Sequence, residues 1–113
     1  MEQAETLLII DDEPDVCTLL RRMLRHRFAR IECAQTLADG NLWAQIIAPQ
    51  VILLDNNLPD GYGLDHIGMF KSMLPMSRIV MISAMDISRE AVAAGADHFM
   101  SKPIDEQQLD LLR

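Results

Sequence analysis

The residues able to do chemistry in this chain stand directly after its apolar runs. Asp11, Asp12 and Glu13 follow Thr6 to Ile10, and Asp55 follows Val51 to Leu54. Ser83 follows Arg78 to Ile82, and Lys102 follows His98 to Ser101. If those runs are neighbouring strands, several carboxylates, a hydroxyl and an ammonium meet at one edge. Clustered carboxylates repel, so one must take a proton or the group must bind a cation. An oxygen-only set with no His or Cys beside it suits Mg²⁺ or a similar hard ion better than Zn²⁺. Mg²⁺ bridges carboxylate and phosphate oxygens, so the constellation suits phosphoryl chemistry.

The elements that must position these residues are legible as alternating strands and helices. Short, fully apolar runs are of strand length, and strands covered on both faces read this way. Pro14 suits the first turn of a helix, and Val16, Leu20, Met23 and Leu24 mark one helical face. Arg30 to Ala34 reads as a strand. Thr36 caps a second helix carrying Leu42, Trp43, Ile46 and Ile47, which Pro49 stops. Asn56 to Gly63 is rich in turn residues. Ile67, Phe70, Met73 and Leu74 mark a third helix, and Ser88 to Ala94 a very short fourth with Gly95 as its C-cap. Asp105 caps a last helix with Leu109 and Leu112 inward. Five strands alternating with five helices predict an α/β fold with a parallel sheet, whose right-handed crossovers put every strand's carboxyl end on one edge.

Composition narrows the functions. The 113 residues suit one domain, and no apolar run approaches the ~20 residues of a membrane span. The acidic start MEQAET does not read as a signal peptide. The net charge of −7 argues against direct nucleic-acid binding. Five of the ten Lys and Arg fall between positions 21 and 30, where they read as a solvated helix end. Cys17 and Cys33 have no metal or redox spacing and are expected as free thiols in a cytoplasmic protein. His26, His66 and His98 make no metal spacing and are expected at the surface. The eight Met residues are expected to fill core gaps.

Taken in order, Ile10-Asp11-Asp12-Glu13-Pro14, Leu54-Asp55-Asn56-Asn57-Leu58-Pro59-Asp60 with Gly63, Ser83-Ala84, Gly95-Ala96-Asp97 and Lys102-Pro103 resemble the receiver domain of two-component response regulators. The resemblance covers essentially the whole chain. It implies a doubly wound, flavodoxin-like α/β fold of five parallel strands in the order 2-1-3-4-5 with helices on both faces. It implies that Asp55 is a phosphoacceptor taking a phosphoryl group from a histidine kinase or a histidine phosphotransfer protein. Mg²⁺ would be bound by Asp12 directly, by Asp11 mainly through water, by Asp55 and by the backbone carbonyl of Asn57. Lys102 would pair with the phosphoryl group and Ser83 would donate its hydroxyl to it. Phe99 would turn inward as the switch residue. Such a domain is a signalling phosphoacceptor that assists its own modification, not a conventional enzyme.

The chain departs from the family in three places. Phe99 stands where Tyr is common. The interval from Ser83 to Lys102 is about three residues short, close to one helical turn, so the fourth helix should be stunted. That helix is the family's usual output and dimerisation surface, so dimerisation through it is in question. The last helix looks cut short, so residues 1–113 are expected to be a receiver domain at the N-terminal end of a longer regulator with an effector domain. Met85, two residues after Ser83, is expected to border the site and limit water access.

Three other readings compete. A flavodoxin-like cofactor binder would need a Gly-, Ser- or Thr-rich phosphate loop where Asp11-Asp12-Glu13 stands. A phosphatase would need a second acid two residues beyond Asp55, where Asn57 stands. An unphosphorylated receiver-like interaction module would not need Asp11, Asp12, Asp55, Ser83 and Lys102 together.

Overall fold

The computed structural model describes residues 5–112, apart from the side chain of Leu111; the start at 1–4 and Arg113 lie outside it. The main sheet comprises β1 (Thr6–Ile10), β2 (Arg30–Ala34), β3 (Val51–Asp55), β4 (Arg78–Ser83) and β5 (His98–Ser101). All four pairings are parallel and the order is β2-β1-β3-β4-β5. The helices are α1 (Pro14–Leu24), α2 (Leu37–Ile47), α3 (Ile67–Met73), α4 (Ser88–Ala94) and α5 (Glu106–Leu109). Short 3₁₀ turns precede α3 and follow α5. The two-residue strands Asn57–Leu58 and Gly61–Tyr62 form a small hairpin between β3 and α3.

The apolar runs are explained by the two faces they serve. Leu7 and Ile9 point into one core layer with Leu20 and Leu24 of α1 and Leu109 of α5. Leu8 and Ile10 point into the other, with Ala44 of α2, Ile67 and Phe70 of α3 and Ala91 of α4. A strand buried on both sides cannot alternate apolar with polar. Helix signals also hold. Pro14 opens α1, Thr36 Oγ accepts from Asp39 N–H at α2, Gly95 caps α4 at φ 112°, and Asp105 and Gln108 form a capping box at α5. The fourth helix is short, at seven residues.

Several expectations need correction. Helix α2 turns Leu37, Gly40 and Ala44 inward, while Leu42 and Ile46 are 58% and 70% exposed. Gly40 sets that face, because a Cβ there would meet Ile10 Cδ1 at 2.5 Å, so the helix approaches β1 through its smallest residue. Cys17 and Cys33, expected as free thiols, form a disulfide between α1 and β2 with a Cα separation of 6.4 Å. Their sequence spacing carries no signal, since α1 is laid beside β2 only by the crossover. His26 is exposed, and His66 and His98 are partly exposed. Met81 and Met100 fill the core as expected, whereas Met76 and Met85 are exposed.

Two glycines yield opposite expectations. A Cβ on Gly63 would overlap the backbone carbonyl oxygen of Asp55, whereas one on Gly68 in α3 would meet nothing within 4 Å. Gly63→Ala should lower unfolding free energy by about 1–3 kcal/mol in urea titrations. Gly68→Ala should raise it by roughly 0.5–1 kcal/mol.

Candidate functional site

The carboxyl edge of the sheet brings together residues separated by up to 91 positions. Asp11 leaves β1 still tied to the sheet, its N–H donating to Ala34 O at 2.9 Å. Its side chain is buried, and Oδ1 accepts from Glu13 N–H at 2.9 Å. Asp55 ends β3 and is 5% exposed, with Oδ1 accepting from Asn56 N–H at 2.9 Å. Asp12 lies outward. One oxygen from each of Asp11, Asp12 and Asp55 falls within 4.8 Å of the others.

Lys102 reaches this cluster from the end of β5, ahead of a cis bond to Pro103. Its Nζ lies 3.0 Å from Asp11 Oδ2, 3.4 Å from Asp55 Oδ1 and 3.4 Å from Glu13 Oε1. The Asp11 contact is an ion pair rather than a well-directed hydrogen bond, because buried Oδ2 finds no donor at an acceptable angle. Burial pulls the Lys102 pKa down, but Asp11 and Asp55 outweigh it and hold the ammonium above its ordinary value. Burial, and then the Asp11 charge, push Asp55 up to about 6 against the opposing pull of Lys102. One ammonium therefore does not neutralise the cluster. An oxygen-only donor set with an underused buried oxygen fits a hard divalent cation, and Asp11, Asp12 and Asp55 are the side chains that would hold it.

Ser83 ends β4 at the same edge and is buried, its Oγ accepting from Met85 N–H at 3.1 Å. Its carbonyl accepts from Lys102 N–H at 2.9 Å, which ties β4 to the start of the lysine loop. Met85 itself is exposed. Phe99 is half-buried against the core layer under α2, α3 and α4 and lies opposite Met81 in the β4–β5 register, below the edge. Asn57 is exposed in the hairpin that follows Asp55.

Two residues of the motif at 54–60 hold the site together in ways that the motif did not specify. Asn56 is buried: its N–H lies on Ile82 O at 3.2 Å, its carbonyl accepts from Gly63 N–H at 2.8 Å, and its Oδ1 accepts from Leu64 N–H at 3.0 Å. Asp60 accepts from Leu37 N–H at 2.8 Å and Ala38 N–H at 3.0 Å, spanning from the hairpin to the start of α2. The signal in both cases is Asn and Asp in a turn-rich stretch, where short polar side chains satisfy backbone donors.

A doubly wound parallel sheet with an acidic cluster and a lysine at its carboxyl edge defines the class. The chain belongs to the response regulator receiver domain family, whose sequence model matches residues 7–112. It is 36% identical over 106 residues to the photosynthetic apparatus regulatory protein RegA of Cereibacter sphaeroides, covering 91% of this chain and 57% of that protein. It is 38% identical over 95 residues to the transcriptional regulatory protein MctR of Rhizobium johnstonii, covering 81% and 44%. The chain thus spans about half the length of these relatives. Among solved structures it superposes at TM-score 0.85 and 26% identity on a response regulator from Burkholderia pseudomallei containing a phosphorylated aspartic acid, a calcium ion and citrate, covering 96% of this chain and 64% of that one. A CheY-like receiver domain from Methylobacillus flagellatus shares the fold at TM-score 0.85 and 23% identity, covering 97% and 96%.

The raised Asp55 pKa gives a stability test. Its folded-state value of about 6 exceeds the ordinary 3.8, so between those pH values the folded chain binds more protons than the unfolded one. Stability then falls as pH rises through that window. In EDTA at pH 8, Asp55→Asn should be more stable than wild type by on the order of 1–3 kcal/mol, and the gap should close as pH drops toward 4. Thermal melts across pH measure it.

Proposed function

We propose that this chain is a phosphoacceptor that takes a phosphoryl group from a phosphohistidine on a histidine kinase or histidine phosphotransfer protein onto Asp55. The observation that carries the reading is the placement of Lys102 Nζ between Asp11 and Asp55, at 3.0 and 3.4 Å, within a three-carboxylate cluster. Asp55 Oδ1 is held by Asn56 N–H and faces Lys102, while Oδ2 takes no hydrogen bond from the described residues. In the transfer, an Asp55 oxygen forms the new P–O bond as the P–N bond to the donor imidazole breaks. Lys102 places a compact positive charge on the transferred oxygens. Mg²⁺ held by Asp11, Asp12, Asp55 and the Asn57 carbonyl would supply further positive charge against those oxygens.

Phosphorylation adds negative charge and acceptor oxygens beside Ser83. Ser83 Oγ accepts from Met85 N–H and keeps its own proton to donate to the phosphoryl group, so a move of Ser83 toward that group would pull on the Met85 loop. Phe99 then repacks and shifts the population of the α4–β5–α5 surface that an effector domain or partner reads. Beside Lys102, an apolar groove between Val16, Leu19 and Leu20 of α1 and Pro103 and Ile104 suits the donor protein, which must bring its histidine to Asp55.

Residues 1–113 form the receiver unit of a longer regulator in this reading. No helix among the described residues is long and apolar enough to cross a membrane, and we place the domain in the cytoplasm. The Cys17–Cys33 bond would there be set by exchange with a largely reduced thiol pool.

Incubation with acetyl phosphate and Mg²⁺, followed by intact mass measurement, tests the reading. Wild type should gain one phosphoryl group and Asp55→Asn none, while Lys102→Met should gain it about 10²-fold more slowly. A wild type that binds Mg²⁺ and takes no phosphoryl group would leave the interaction-module reading standing.

A further inference from the structure

Asp60 has no part in the phosphotransfer scheme, yet both its carboxylate oxygens are committed. They accept from Leu37 N–H and Ala38 N–H, residues 23 and 22 positions earlier. These donors belong to the first turn of α2 and have no acceptor within the helix. The two bonds hold the Asp60 carboxyl below its ordinary pKa. The helix already has a local cap, because Thr36 Oγ accepts from Asp39 N–H at 3.0 Å. The Asp60 bonds therefore do something the Thr36 cap does not: they join α2 to the hairpin beyond Asp55.

That hairpin carries Asn57. Its near end is fixed by Asn56, which bonds to β4 through Ile82 O and to the start of the next helical segment through Gly63 and Leu64 N–H. Its far end is fixed by Asp60, next to Gly61 at φ 150°, where an added Cβ would lie 3.2 Å from Leu37 Cδ1. Asn57 and Leu58, paired with Tyr62 and Gly61, run between the two anchors. The N-terminal turn of α2 thus bears directly on the loop whose carbonyl faces the acidic cluster in the phosphoacceptor reading.

We propose that Asp60 is a positioning residue, which clamps the hairpin tip onto α2 and thereby holds the Asn57 backbone carbonyl where a divalent cation needs it. The proposal rests on the metal site of the phosphoacceptor reading. Asp60 itself does not touch the cation.

The test titrates Mg²⁺ into wild type, Asp60→Ala, Asp60→Asn and Thr36→Ala, following backbone amide shifts by NMR, with thermal melts of the metal-free proteins alongside. Asp60→Ala should weaken Mg²⁺ binding about tenfold, the scale found when a ligand loses its supporting hydrogen bonds. Asp60→Asn keeps one acceptor oxygen and should recover part of the loss. Both variants lose the same charge, so their difference reads the hydrogen bonds and not the field. Thr36→Ala should lower the melting temperature as a lost cap does, yet keep the wild-type Mg²⁺ affinity. If Asp60→Ala fails to fold, Asp60→Asn against Thr36→Ala makes the same comparison. Unchanged Mg²⁺ affinity in the Asp60 variants, or an equal loss in Thr36→Ala, overturns the clamp. An absence of saturable Mg²⁺ shifts around Asp11, Asp12 and Asp55 in wild type overturns the metal reading itself, and is seen before any variant is compared.

Discussion

Three carboxylates share a space less than 5 Å across with one ammonium, and two of them are buried. At an effective dielectric of about 20, each like-charged pair at that separation costs roughly 3 kcal/mol, and each contact with the lysine returns a little more. Lys102 reaches Asp11 and Asp55 among the cluster's three acids, and divides itself further with Glu13. Burial first, and then the Asp11 charge, raise the Asp55 pKa against the pull of Lys102. A proton or a cation completes the balance. A site left in this condition is responsive by construction, since adding either charge changes its energy by several kcal/mol.

The parallel sheet makes such a site possible and keeps it from collapsing. Asp11 directly follows β1, and Asp55 and Ser83 are the last residues of β3 and β4, each after four buried residues. Moving one acid away from the others would drag an apolar strand out of register with both layers. The repulsion is therefore carried by the core, through Leu7 to Ile10 and Val51 to Leu54. The loops add local restraint: Gly63 lies so close to Asp55 that no side chain fits, and Asn56 fastens the chain to β4.

What the sequence made legible follows from this division. The strands and their ends were readable because burial on both faces leaves uninterrupted apolar runs, and the acids mark where they stop. The class of chemistry was readable because the residues fall after the runs in a fixed order. The inward face of α2 was legible in part: Trp43 and Ile47 pack on the core, but the closest approach to the sheet is made by Gly40, which carries no hydropathy signal. The cysteine pairing was hidden because nothing local relates position 17 to position 33. Asn56 and Asp60 looked like ordinary turn residues. Their bonds to Leu64 and to Leu37 and Ala38 exist only once the hairpin and α2 are placed together.

The shortened α4 bears on how a change at the edge would travel. Of its seven residues only Ala91 is fully buried; Val92 is exposed, as is Met85 in the preceding loop. Its C-terminal end is better held. Ala96 N–H bonds to Ala91 O, and Asp97 both accepts from Ile79 N–H and pairs with Lys71 of α3. The helix is thus pinned at its exit and lightly attached at its entry, where Ser83 Oγ holds Met85 N–H. Segments with few buried apolar contacts open at the lowest free-energy cost. A reorientation of Ser83 would therefore act first on the lightly attached end of this element.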